Sequence, residues 1–138
     1  MTAVPWKIEW SVALSMNNAE IDAEHKTFIS LVNELNSAII SRQSKADVES
    51  ILKRIIDHSI LHFSNEEKLF AQMQYPKTQE HIHLHASLII TLKKMIARVH
   101  ITEFGREWTE IGLAIKNALV DHILLDDAQY IEYLNTEK

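Results

Sequence analysis

Two glycines and two prolines are all that interrupt a chain of 138 residues. No stretch carries the clusters of Gly, Asn and Asp that separate short strands, so long helices have to dominate. The expected fold class is all-α. Hydrophobic residues make up 46% of the chain, and a chain of this length can bury one continuous core without staples. Residues 1–138 therefore read as one domain.

The apolar periodicity places the helices. Asn17 followed by Glu20 has capping-box spacing, and Ile21, His25, Phe28, Val32, Leu35 and Ile39 then recur by fours and threes. The polar patch from Ser41 to Lys45 breaks that pattern. A second seam follows through Val48, Ile51, Ile55, His58, His62, Glu66 and Leu69, and Tyr75-Pro76 stops it. A third stripe runs His81, His85, Leu88, Leu92, Met95 and Val99, and a fourth runs Trp108, Ile111, Ile115, Leu119 and His122 towards Leu134. Four helices of about 20 to 27 residues with brief connections predict an antiparallel up-down-up-down bundle over residues 17–135. Residues 1–16 form an N-terminal arm whose Trp6 and Trp10 are expected to cover part of the bundle.

Composition narrows the chemistry. Cysteine is absent, which excludes disulfides and thiolate metal ligands and suits a reducing cytoplasm. No run of 18 apolar residues could span a bilayer, and the first residues lack a signal-peptide core. With a net charge of −5 and scattered Lys and Arg, neither nucleic acid nor a membrane is an expected partner. The unusual residue is histidine, present eight times.

An unpaired ionisable group in a core stripe costs several kcal/mol, so one buried histidine is ordinarily a satisfied core residue, but a whole set needs another explanation. His62 and Glu66 are four apart, as are His81 and His85, so each pair projects from one helical face. In an antiparallel bundle the start of the first helix, end of the second, start of the third and end of the fourth share one level, which brings His25 and His122 to the same place. Imidazoles and carboxylates without thiolate suit iron, manganese, zinc or copper, and five histidines exceed what one tetrahedral zinc uses. Two metal ions bridged by carboxylates fit best. Glu66 offers one bridge; for the second, helical phase favours Asp126, four after His122, over Asp127, which lies about 140 degrees round.

Taken together, the stretches IDAEH, HFSNEE, YPKTQEHIHLH and HILLDDAQY resemble the hemerythrin family, in particular its single-domain bacteriohemerythrins, from the EWS segment to Tyr130. The resemblance implies a non-haem di-iron centre that binds dioxygen reversibly. It assigns His81, His85 and His122 to one iron and His25 and His62 to the other, which keeps an open position. Glu66 and Asp127 would bridge both irons, against the phase preference for Asp126, and an oxo or hydroxo group would be the third bridge. By analogy Phe28, Leu119 and Ile123 would wall the oxygen pocket. Ala118 stands where relatives usually carry tryptophan, so the pocket is expected to be wetter and quicker to oxidise to the ferric state.

Five imidazoles and two carboxylates carry less negative charge than carboxylate-rich oxygenase sites, which favours carriage over O–O cleavage. The implied role is oxygen storage, delivery or sensing rather than enzymatic turnover, with an unidentified reductant or oxygen-consuming partner allowed for. The alternative is a di-iron enzyme or repair factor handling nitric oxide, peroxide or iron. His83 is expected at the solvated surface, and His100 near the negative end of the third helix. His58, where relatives tend to carry tyrosine, is either a support for the centre or a partly exposed packing residue.

Overall fold

The computed structural model describes Trp10, Ser15 and residues 18–102, 106–127, 129–130 and 132–133. Four helices follow in order: α1 (Ala19–Ile40), α2 (Lys45–Met73), α3 (Thr78–Ile101) and α4 (Arg106–Asp121), the last passing directly into a π-helix at His122–Asp127. Helix α1 packs against α2 and α4, and α3 packs against α2 and α4. That ring of neighbours joined by short connections is an up-down-up-down four-helix bundle. There are no strands among the described residues. None of their helices is long and apolar enough to cross a membrane.

Local chemistry explains the helix ends. Asn17 lies outside the described residues. The cap of α1 is made by Asn18, whose side-chain oxygen accepts the N–H groups of Glu20 and Ile21 at 3.1 Å each. Ser44 caps α2 by accepting the Asp47 N–H at 3.1 Å. Both α1 and α2 close with a Schellman pattern. In α2 the Tyr75 N–H reaches the Phe70 carbonyl at 3.1 Å, while Gln74 takes up φ 54. In α1 the Gln43 N–H reaches the Ala38 carbonyl at 3.0 Å, while Arg42 takes up φ 56. The breaks therefore fall at the polar patch and before Tyr75-Pro76, where the sequence places them. The buried indole of Trp108 donates to Thr102 Oγ1 at 3.0 Å, tying the end of α3 to the start of α4.

The seams expected from periodicity line the interior, with His58, Leu69, Leu88 and Met95 only half-buried. A large apolar cluster, including Phe28, Leu35, Ile55, Leu92 and Ile115, fills one part of the bundle. A smaller one of Ile21, Phe70, Tyr75, Ile123 and Tyr130 closes the other. Along α1 the polar residue His25 lies between Ile21 and Phe28, and along α2 Glu66 lies between Phe63 and Phe70, so a polar layer separates two apolar ones. Trp6 and Leu134 lie outside the described residues. Trp10 is half-buried, with the Lys26 ammonium 5.0 Å from its ring centroid in a cation–π contact.

Candidate metal centre

Three helices and the π-helix contribute to that layer. His25 comes from α1, His62 and Glu66 from α2, His81 and His85 from α3, and His122 and Asp127 from the π-helix; none is more than 4% exposed. Their ligand atoms fall into two groups, each with all atoms within 4.8 Å of one another: Glu66, His81, His85, His122 and Asp127 in one, and His25, His62, Glu66 and Asp127 in the other. The two carboxylates belong to both groups. Asp127 places Oδ1 at 3.0 Å from His81 Nε2 and 3.1 Å from His122 Nε2, and Oδ2 at 3.1 Å from His25 Nε2. Glu66 Oε1 lies 3.1 Å from His85 Nε2 and 3.4 Å from His62 Nε2.

Cations fit this arrangement. The buried atoms Glu66 Oε1 and His85 Nε2 lie 3.1 Å apart but make no hydrogen bond with each other or with any other group, which in a dry interior costs about 1–3 kcal/mol each. His25 Nε2 and His62 Nε2 face one another at 3.1 Å, where at most one proton can lie between them. A positive ion in each group would satisfy all these lone pairs, and a nitrogen-and-oxygen donor set suits divalent transition metals.

The outer nitrogens of three imidazoles are braced. His62 Nδ1 donates to Glu24 Oε1 at 2.6 Å, His85 Nδ1 to Glu67 Oε2 at 2.9 Å, and His122 Nδ1 to Asp126 Oδ2 at 2.9 Å. A carboxylate only accepts, so each brace keeps a proton on Nδ1 and turns Nε2 inward. Glu24 is itself held by Asn65 Nδ2 at 2.6 Å. His58 donates from Nε2 to the Glu24 main-chain oxygen at 2.9 Å, with its ring edge-on to Phe28 at 4.6 Å. The half-buried His58 thus supports the segment carrying Glu24 and His25. The buried Tyr130 hydroxyl donates to Glu66 Oε2 at 2.6 Å, leaving Oε1 turned to the imidazoles.

Sequence reasoning did not single out Glu24, Glu67, Asn65 or Tyr130. A signal existed for Glu67, the outer half of the doublet Glu66-Glu67. Adjacent helical residues point about 100 degrees apart, so when one carboxylate faces the core the other can reach the outer nitrogen of a neighbouring ring. The doublet Asp126-Asp127 behaves the same way. Tyr130 stands in no such pattern.

Periodicity favoured Asp126 for the inner position, and the backbone explains why Asp127 takes it. In an α-helix the fifth residue after His122 would point well away, but a π-helix closes its turns with i→i+5 bonds and brings that residue back to the same face. The π-helix begins at His122 itself. Asp127 is fully buried, whereas the Asp126 side chain is 30% exposed and meets only the outer nitrogen of His122.

The electrostatics follow from burial and these pairings. Burial pulls His62 down to about 4 against the opposing pull of Glu66, so it is neutral at physiological pH with its lone pair free. Burial also acts to lower His122, but the hydrogen bond and charge of Asp127, with Glu66 and Asp126, outweigh it and raise it to about 9. Burial would raise Asp127, yet its bonds to His122, His25 and His81 hold it well below the carboxylate range. Burial and the adjacent Glu66 push Tyr130 upward, so it stays a protonated donor.

Among the other residues singled out from sequence, Phe28 is buried with its ring edge-on to His62 at 5.2 Å. Leu119 is buried in the cluster of Phe28, Ile123 is buried in the smaller cluster, and Ala118 is half-buried. His83 is exposed. His100 is exposed near the end of α3, its ring 3.1 Å from Glu49 Oε1 and its carbonyl accepting from Lys45 at 3.0 Å.

Known proteins are similar in sequence over most of the chain. A family profile described as the hemerythrin HHE cation binding domain matches residues 16–134. A bacteriohemerythrin of Campylobacter jejuni is 22% identical over 121 residues, covering 87% of this chain and 90% of its own length. A hemerythrin-like protein of Naegleria gruberi is 27% identical over 131 residues, 94% of this chain and 95% of its own. A bacteriohemerythrin of Stenotrophomonas maltophilia is 27% identical over 123 residues, 89% and 78%. With two carboxylate-sharing groups of buried donors at the heart of a four-helix bundle, and a family match across nearly its whole length, the chain belongs to the hemerythrin family of cation-binding domains.

Proposed function

We propose that the protein binds dioxygen reversibly at a non-haem di-iron centre held by His25, His62, Glu66, His81, His85, His122 and Asp127, with an oxo or hydroxo group as a further bridge. One observation carries this reading. The two donor groups are unequal: three imidazoles with the shared carboxylates on one side, two imidazoles with the same carboxylates on the other. A coordination sphere one protein ligand short leaves room for a small molecule, as sites that bind substrate do. When bound, an iron pair supplies reversible electron exchange with dioxygen.

The surrounding residues govern what else can happen there. Glu24, Glu67 and Asp126 hold Nδ1 of three imidazoles and so keep Nε2 of each ring turned inward. Tyr130 keeps its proton and steadies Glu66 from behind. Phe28 lies edge-on to His62 within the large apolar cluster and keeps water from that face of the ring.

Iron analysis with optical titration tests the reading. Two irons per chain are expected, with an iron charge-transfer band that appears in air and disappears under vacuum over repeated cycles. Uptake of a single zinc ion and no oxygen-dependent spectrum would overturn it. Steady oxygen consumption in the presence of a reductant would assign the centre to an enzyme instead.

A further inference from the structure

A cleft of about 290 Å³ opens between α1 and α2. Its lining includes Glu20, Glu24, Asn65, Glu66, Lys68 and Gln72. Glu20 and Glu24 are four apart on α1, so they stack on one face about one turn, roughly 5 Å, from each other. The three glutamates descend in exposure: Glu20 is exposed, the Glu24 side chain is 19% exposed, and the Glu66 side chain is fully buried. Glu66 belongs to both groups of donors, and its Oε1 is buried and without a hydrogen-bond partner.

We propose that this cleft is the port through which hydrated divalent iron enters the centre, passing from Glu20 at the rim to Glu24 and then to Glu66. The inference rests on the di-iron reading above. A hydrated cation exchanges its water only where other oxygens replace it, because shedding charge solvation without compensation is prohibitive. Carboxylates one turn apart provide those oxygens in sequence. Glu24 stands at the inner threshold, since its carboxylate already touches His62 Nδ1 and Asn65 Nδ2. Three carboxylates against one lysine repel anions from the same path. The cleft between α2 and α3 also reaches the site, at His85, but its lining is mostly apolar, with Ser64 and the single carboxylate of Glu67 among Ile60, Phe63, Ile82, Ala86 and Ile89, so it offers a hydrated ion no succession of carboxylates.

The test is the rate of iron loading. Metal-free protein is mixed anaerobically with aqueous Fe2+ at low salt, quenched at timed intervals with excess chelator, desalted and assayed for bound iron. Glu20→Lys should load about fivefold more slowly than the unaltered chain, and Lys68→Gln roughly twofold faster, as expected for local steering of a cation. Both differences should shrink at high salt. Glu49→Lys, about 28 Å from Lys68 along α2, should load at the unaltered rate, and every variant should finish with the same iron content.

Equal rates for all variants would overturn the port, as would Glu49→Lys slowing the reaction as much as Glu20→Lys. Lys68→Gln keeps the question open to decision if charge reversal in the first turn of α1 weakens folding. An unaltered chain that never reaches two irons would instead defeat the di-iron reading, so the two failures are distinguishable.

Discussion

Adjacent aspartates have opposite surroundings at the end of the bundle. Asp127 is fully buried and presents both oxygens to imidazoles of three elements, while Asp126 touches one outer nitrogen from a partly exposed position. On the di-iron reading, Asp127→Asn should fail to retain two irons, because an amide has only one acceptor oxygen to set between two ions. Asp126→Asn should keep both, with affinity against a competing chelator lower by about tenfold. Iron counts after gel filtration decide between them, and the reverse order would sink the assignment. The histidines make a second prediction, for metal-stripped protein. His62 titrates in the folded chain at about 4, below its unfolded 6.5, so its effect is to remove stability as pH falls from 6.5 through 4. His122 titrates at about 9, so it stabilises fully below 6.5 and that contribution is lost as pH rises through 9. Each arm amounts to about 3 kcal/mol. Denaturant unfolding across pH should therefore show a maximum near pH 6.5, and a stability that climbs steadily from pH 6.5 to 9 would contradict the pairing of His122 with Asp127.

At the scale of helices, the ends and seams obey local rules that a reader of the sequence can apply. Ser44 caps, the patch after Ile40 breaks and Pro76 separates, because each acts through bonds only a few residues long. The π-helix does not follow from such rules. Its wider turn is a small local cost that the pairing of Asp127 with three histidines offsets, and nothing in HILLDD requires it. The closure of α2 carries a further consequence. Gln74 adopts φ 54 and ψ 45, a left-handed conformation costing a residue with a Cβ roughly 1–2 kcal/mol. Gln74→Gly relieves that strain while loosening the unfolded chain, for a net gain of about 1 kcal/mol. The gain should show as a higher denaturant midpoint with an unchanged slope; a lower midpoint would show that the side chain holds the turn.

For the whole molecule, the polar layer is the main liability. Seven buried ionisable residues separate the two apolar clusters, several with lone pairs that no protein group satisfies. Ions that bind the folded state alone add stability by mass action, about 4 kcal/mol at a free concentration 1,000 times the dissociation constant. Chelator-stripped protein should accordingly unfold at clearly lower denaturant and recover when Fe2+ is restored without air. Identical midpoints for stripped and loaded protein would mean that the layer is satisfied without metal. That the layer exists was legible from His25, His62, Glu66, His81, His85 and His122, because helical spacing and antiparallel order are enough to bring them to one level.

The amino-acid order by itself determined the helices, their order around the bundle and six of the seven inward donors, since those depend on periodicity and on loops too short to allow other neighbours. The seventh, Asp127, could be drawn from the order only by resemblance. Tertiary structure decided its place through a backbone that leaves α geometry where the buried charges require it. It also decided the braces: Glu24 and Glu67 act on imidazoles of other helices, across gaps that no count along the chain can measure. Contacts between elements depend on side-chain reach and relative rotation, and those exist only once the helices have packed.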